Sequence, residues 1–349
     1  MNKRNIYIAV LLLFACFTFA QTSQKFSLEQ NSLATSREYS TTSKMPELVV
    51  QEGHNETIEV IQFSADGKYL LTAEPKVIKI WDVRTGLLIK SINKFASNGS
   101  FGKSNVAFAP NGKFCVYINK EESLECYDFE LDRNWVFDSK LAKNKAHDIA
   151  FAPNGKIFAV ANGDFINIYD SENFHFLYML SKKNVGLWHQ LVFDNTSKYL
   201  LADSFEGVQL WDVEKRFIRL NIGIHSKNHC FSENGKYIAL IDEVNAVPVI
   251  KIVDREKIKI VQEIEIHKSI YSVQFSKDNE KLFAVSDNFF ILDFLDGRVI
   301  GEIKLDGHYS EVFTISPDEK FVAIGFGLTS GISIFSLAGY ELRKKNLNI

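Results

Sequence analysis

"FAPNGK" occupies Phe108–Lys113 and returns unchanged at Phe151–Lys156, 43 residues further along the chain. An identity of this length at that spacing points to internal repeats, and a period near 40 belongs to a small set of architectures. Aligning on the large apolar residue before the turn recovers seven copies, anchored at Phe63, Phe108, Phe151, Phe193, Phe231, Phe275 and Ile315. The intervals are 45, 43, 42, 38, 44 and 40 residues.

Each copy has the same internal order. A short alternating strand such as "IEVIQF" leads into a turn built on Asp-Gly or Asn-Gly, residues that tolerate the positive φ of tight hairpins. A more continuously apolar strand follows, then a third that usually closes on an aromatic–Asp step, as in "VIKIWDV" and "GVQLWDV". A fourth, more polar strand completes the unit. Four strands in each of seven units cannot form one sandwich. Each small sheet has two faces to bury, and stacking the sheets radially buries both.

From about residue 46 to residue 345 the chain therefore resembles a seven-bladed WD40 β-propeller, an all-β fold of four-stranded antiparallel blades. The resemblance rests on Trp81-Asp82 and Trp211-Asp212, the weaker Tyr127-Asp128 and Tyr169-Asp170, and the Gly-His pairs Gly53-His54 and Gly307-His308. Several blades lack these dipeptides, so the family's hydrogen-bonded tetrad is expected to be incomplete. The family also implies that an N-terminal strand closes the last blade. "ELVVQEG" (Glu47–Gly53) has that pattern, and "YELRKKN" (Tyr340–Asn346) competes for the same place.

Composition is consistent with such a core. Of the 349 residues, 46% are hydrophobic and 29 are Phe, while six prolines and 19 glycines exclude a fibrous or low-complexity chain. The net charge of −3 and the scattering of the 40 basic residues argue against a nucleic-acid partner. Residues 1–20 read as a signal peptide: two cations in "MNKRN", an apolar run, and Ala20 before a polar tail. "LFAC" (Leu13–Cys16) loosely resembles a lipobox, which would make Cys16 a lipidated first residue and the only route to a membrane. Residues 21–45, rich in Ser, Thr and Gln, are expected to be a flexible polar linker, and 46–349 the propeller. The protein is expected to be exported, to the periplasm, cell surface or medium, or else lipid-anchored in the envelope, and to act as a monomer.

No phosphate-cradling glycine loop, HExxH, GxSxG or CxxC motif occurs, and no cofactor is expected. The resemblance gives His54, His225, His267 and His308 structural places before the first strands of their blades. His147 and His189 lie instead four residues before their anchors, where other blades carry Glu59, Ser104, Lys227, Tyr271 and Glu311. In a propeller these positions ring the mouth of the central channel. They could hold a metal or small anion, or form a hydrated polar rim. Trp188, beside His189, is either an interface anchor or a plug against the next blade.

Cys115 and Cys126 fall in the second and third strands of blade 2. With Asn119–Glu122 as the hairpin loop, Ile118 pairs with Ser123 and Cys115 with Cys126, close enough for a disulfide. A one-residue shift would send the thiols to opposite faces, leaving them as small buried hydrophobes.

The functional expectation is a non-enzymatic scaffold that binds a protein or peptide on the channel-mouth face, through Trp188, His189, His147, Glu59, Lys227, Tyr271 and Glu311. The rival is a lactonase-like hydrolase or lyase at the same mouth.

Overall fold

The computed structural model describes residues 54–93, 105–139, 141, 146–181, 188–226, 228–244, 247–266, 269–305, 310–327 and 331–338, with the backbone alone for 48–50, 146 and 311. The secretion signal, lipobox and linker expectations fall outside these residues. So do Lys227, His267 and His308.

Every regular element among the described residues is a strand, and the strands form seven four-stranded antiparallel sheets. Blade 1 runs Val60–Phe63, Tyr69–Glu74, Val77–Asp82 and Leu88–Ile92, and blade 2 Val106–Phe108, Phe114–Ile118, Leu124–Asp128 and Arg133–Asp138. Blade 3 runs Ala146–Phe151, Ile157–Asn162, Phe165–Asp170 and Phe176–Ser181, and blade 4 Leu191–Phe193, Tyr199–Ser204, Gly207–Asp212 and Phe217–Asn221. Blade 5 runs His229–Phe231, Tyr237–Val244, Val247–Asp254 and Lys259–Glu265, and blade 6 Ser272–Phe275, Lys281–Val285, Asn288–Asp293 and Val299–Lys304. Blade 7 has Ser310–Ile315, Phe321–Phe326 and Ile332–Ser336. The innermost strands neighbour one another in closed order, blade 7 returning to blade 1.

The N-terminal strand closes the ring. Leu48–Val50 pairs antiparallel with Ile332–Ser336 (Leu48 opposite Ile334), so the outer edge of blade 7 comes from the start of the chain. The ring is thereby tied by hydrogen bonds between segments nearly 300 residues apart in sequence, roughly the whole propeller.

The repeated turn has a single geometry. The residue four after each anchor has positive φ in all seven blades: Gly67, Gly112, Gly155 and Gly235, with Ser197, Asn279 and Glu319 in the others. Each donates its N–H to the residue three before it, from Gly67 to Ser64 (2.9 Å) through Glu319 to Ser316 (2.8 Å). Only the second residue of each Asn-Gly or Asp-Gly pair is left-handed. "FAPNGK" therefore recurs because one position per blade must enter a region that side chains disfavour.

The aromatic–Asp step has an equally local cause. Asp82, Asp128, Asp170, Asp212, Asp254 and Asp293 end the third strands, and each carboxylate accepts main-chain N–H groups of the next turn. Examples are Thr85 N to Asp82 (2.7 Å) and Lys215 N to Asp212 (2.9 Å). Blade 7 has Ser336 in this role, accepting from Ala338 N at 3.3 Å.

The core lies between blades. Seven apolar clusters fill the seven interfaces, for example Leu71, Ile80, Phe108 and Cys115 between blades 1 and 2, and Ile58, Trp81, Ala323 and Ile334 between blades 7 and 1.

The expected Cys115–Cys126 pairing is corrected. Cys115 lies opposite Tyr127, and Cys126 opposite Val116, one residue out of the expected register. The loop keeps an extra residue: Asn119 N bonds Ser123 O (2.9 Å), and Glu122 turns left-handed at φ 60°. Cys115 thus faces blade 1 with Tyr117 and Tyr127, while Cys126 shares the other face with Val116. Both thiols are free and buried, and burial pushes both thiol pKa values up.

Candidate functional site

The start of each inner strand and the turn between its second and third strands lie at the same end of the blade, because those segments pair antiparallel. Glu59 N bonds Ala73 O (2.8 Å), His189 N bonds Asp203 O (2.9 Å), and Tyr271 N bonds Val285 O (3.0 Å). Glu59, His147, His189, Tyr271 and the backbone of Glu311 are therefore all on the channel-mouth face, each in its own blade.

Blade 1 holds a full polar network there. Trp81 Nε1 donates to Thr72 Oγ1 (2.8 Å), which meets His54 Nε2 at 2.7 Å, and His54 Nδ1 lies 3.3 Å from Glu74. Glu74 also accepts the N–H of Asn55 (2.7 Å) and Glu56 (2.9 Å). Burial lowers the His54 pKa to about 4, against the pull of Glu74, so the imidazole is neutral near pH 7. Blade 1, which carries both Gly53-His54 and Trp81-Asp82, thus has the network that blades lacking these dipeptides are expected to leave incomplete. Blade 4 keeps only its tryptophan: Ala202 stands where Thr72 stands in blade 1, and Trp211 Nε1 has no hydrogen-bond partner among the described residues.

Trp188 is corrected as an interface anchor. It is 0% exposed, and its ring stands edge-on to Trp211 at 5.8 Å between blades 3 and 4. The main-chain N–H of Trp188 donates to Gly163 O at 3.2 Å, fixing the segment against the neighbouring blade's turn. A side chain with no accessible surface cannot dock a partner. It is the plug.

His147 is also buried, whereas His189 is half-buried. Their rings lie 6.1 Å apart, and His189 meets Phe205 at the same separation. Around them the inner strands are laced together. Asp148 Oδ2 accepts Leu191 N (2.5 Å), Gln190 Oε1 accepts His229 N (3.0 Å), and Asn228 Oδ1 accepts Val273 N (2.8 Å). All three sit three residues before their anchors and satisfy the edge N–H of the next blade. Among the described residues no group of His, Cys, Asp or Glu is arranged to hold a metal ion.

Electrostatics single out blades 4 and 5. Burial raises the Asp203 pKa to about 6, with His225 and the main chain of Ser226 and Ser204 pulling the other way. Burial alone lowers His229 to about 3.

The mouth-face residues that sequence reasoning passed over are in the turns. Phe205 is 67% exposed and Phe165 43%, with Val244 and Val247 exposed in blade 5. The available signal was a phenylalanine inside a turn, "SFEG", where no repeat rule asks for one.

A profile described as WD domain, G-beta repeat matches residues 46–82, which span the closing strand and most of blade 1. The chain is similar to WD repeat-containing protein AAC3 of Dictyostelium discoideum, 27% identical over 205 residues, 53% of this chain and 40% of that protein. It is similar to apoptotic protease-activating factor 1 of Homo sapiens, 24% identical over 243 residues, 68% of this chain and 18% of that one. SEC12-like protein 2 of Arabidopsis thaliana is 24% identical over 170 residues, 47% of this chain and 42% of that one. The chain thus covers less than half the length of each of these relatives. With seven four-stranded blades, the aspartate-capped turns and the His54–Thr72–Trp81 network already in place, the chain is a seven-bladed propeller that carries a WD40 repeat at residues 46–82 and is similar to WD-repeat proteins.

Proposed function

We propose that this protein is an exported, non-enzymatic scaffold that captures a protein or peptide on its channel-mouth face. WD40 propellers typically serve as protein-interaction scaffolds, and that is the general class of this chain. The location rests on one observation: Phe205, the most exposed phenylalanine among the described residues, stands on this face beside His189. On the opposite face the turns between first and second strands bond each other, as in Asn154 N to Ser197 Oγ (3.1 Å) and Lys277 N to Glu319 Oε1 (2.7 Å). Export is supported by the charged start and apolar run of residues 1–20, with Cys16 as the alternative lipid-bearing residue.

Photo-crosslinking tests the face. A crosslinker replacing His189 should trap a partner in the native envelope, and one replacing Leu295, exposed on the opposite face, should not. Trapping only from position 295 would overturn the assignment. Mass spectrometry of native material should find an N-terminus near Gln21 or a lipidated Cys16, and an intact Met1 would remove the export reading.

A further inference from the structure

Blade 3 has an outer edge unlike those of its neighbours. Its fourth strand, Phe176–Ser181, pairs inward with Phe165–Asp170, and its other edge has no strand on it among the described residues. The strand reads FLYMLS and holds no charged residue. The fourth strands of blades 1, 2, 4, 5 and 6 all carry charge, with Lys90 and Arg219 at the centres of Leu88–Ile92 and Phe217–Asn221. Charge on an edge strand keeps it from pairing with copies of itself. Blade 3 lacks that guard.

The same strand exposes Phe176 (49%), Leu177 (45%) and Met179 (49%), and the sheet register joins them to the exposed Phe165. Met179 lies opposite Asn167, Phe176 opposite Tyr169, and Phe165 opposite Ser181. Ile166 and Ile168 turn the other way, into the interface with blade 4. Phe165, Met179 and Phe176 therefore stand in a row on the face turned away from blade 4, with Leu177 the extra residue of the bulge beside them. The Phe176 ring meets Tyr169 edge-on at 5.8 Å. With close to half of each side chain exposed, these four residues present on the order of 350 Å² of apolar surface, a size at which patches often mark contacts.

We infer that this edge pairs antiparallel with the same strand of a second copy, joining two propellers rim to rim in place of the monomer expected from the sequence. Charge and area argue for that occupant. A two-fold axis through Met179 sets Met179 against its own counterpart and Tyr178 against Leu180, two residues that already share a face. Counted on along the sequence from that register, Lys182 and Lys183 correspond to Phe176 and His175, so no lysine is set against a lysine. The same operation at the centre of the blade 1 or blade 4 edge would oppose Lys90 to Lys90, or Arg219 to Arg219. The patch is a little under half of the roughly 800 Å² that each partner buries in a stable interface, and the open strand edge adds its row of N–H and C=O groups. The rim is not the channel mouth, so the inference stands apart from the reading above.

Sedimentation equilibrium of the purified protein tests this, and should show monomer and dimer in exchange. Met179→Lys should weaken the dimer at least about tenfold by setting two cations face to face, and Met179→Glu should do the same with two anions. Mixing the two variants should restore association to within about threefold of wild type, because lysine then opposes glutamate. Ile89→Lys, as exposed on the rim of blade 1, should change nothing. Thermal melts of each variant separate lost pairing from lost fold. A monomer at every concentration, a dimer indifferent to both charges at 179, or a mixture no better than either variant alone overturns the pairing. A photo-crosslinker at position 179 should join two copies of the chain in cells. Trapping of a different protein there, with the purified chain monomeric, would give the edge another occupant and overturn the inference as well. Trapping at position 189 is read separately, so either proposal can fail without the other.

Discussion

Ser197 adopts φ 60° where blade 3 has Gly155, and its hydroxyl accepts the main-chain N–H of Asn154 in blade 3's own turn at 3.1 Å. The other two non-glycine residues at this position do the same for their neighbours. Asn279 accepts from Asn234 N (3.0 Å), and Glu319 from Lys277 N (2.7 Å). The departures from glycine are thus inter-blade fasteners, in which a hydrogen bond offsets a backbone cost of about 1–2 kcal/mol.

That balance separates two substitutions. Ser197→Ala keeps the left-handed cost and loses the bond, so it should destabilise by about 1 kcal/mol. Ser197→Gly loses both and should be nearly neutral. Urea melts of the pair decide it. A Ser197→Ala variant as stable as wild type would show that the bond contributes nothing, and equal losses in the two variants would show that the left-handed backbone costs nothing.

Trp188→Ala should cost about 3–5 kcal/mol of stability, because it empties a buried site between blades 3 and 4. Phe205→Ala, on the surface, should stay within about 0.5 kcal/mol of wild type. Thermal denaturation of both, run side by side, checks the assignment of one residue to packing and the other to the open face.

Alkylation of the denatured, unreduced protein should label Cys115, Cys126 and Cys230 alike. Labelling of Cys230 without Cys115 and Cys126 would mean a bridge, and would contradict the register that sets Cys115 opposite Tyr127.

The pH dependence has two opposed parts. Asp203 titrates near 6 when folded, above its ordinary 3.8, so its contribution to stability is full below about pH 4 and lost as pH rises through 6. Asp203→Asn should therefore raise the melting temperature near pH 7 and flatten its change between pH 4 and 6. His54 and His229 titrate near 4 and 3, below the ordinary 6.5. Their contribution is full above pH 6.5 and falls away towards pH 3, so His229→Gln should weaken the acid sensitivity of unfolding. A melting profile of Asp203→Asn parallel to wild type would refute the first part.

Truncation tests the ring closure. A chain starting at Met45 keeps the Leu48–Val50 strand and should melt like the longer protein, whereas one starting at Gln51 leaves Ile332–Ser336 as an unpaired edge and should melt lower.

The sequence by itself determined the period, the blade count and the strand order, because those follow from local rules. A left-handed residue four after each anchor, an aspartate ending the third strand and alternating apolar residues all act within a few positions of one another. Which terminus closes blade 7 was decided only by tertiary structure. Glu47–Gly53 and Tyr340–Asn346 carry comparable patterns, and the choice depends on a partner edge distant in sequence. The blade 2 register turned on one residue kept in the Asn119–Ser123 loop, a difference that hydrophobic pattern does not encode when both faces of a blade are buried. Trp188 and Phe205 show the same division at the channel mouth. Composition marks both as large aromatics, but exposure belongs to the packing of neighbouring blades. The space beside Ala202 and Trp211 takes Trp188 in, and the turn before Gly207 leaves Phe205 out.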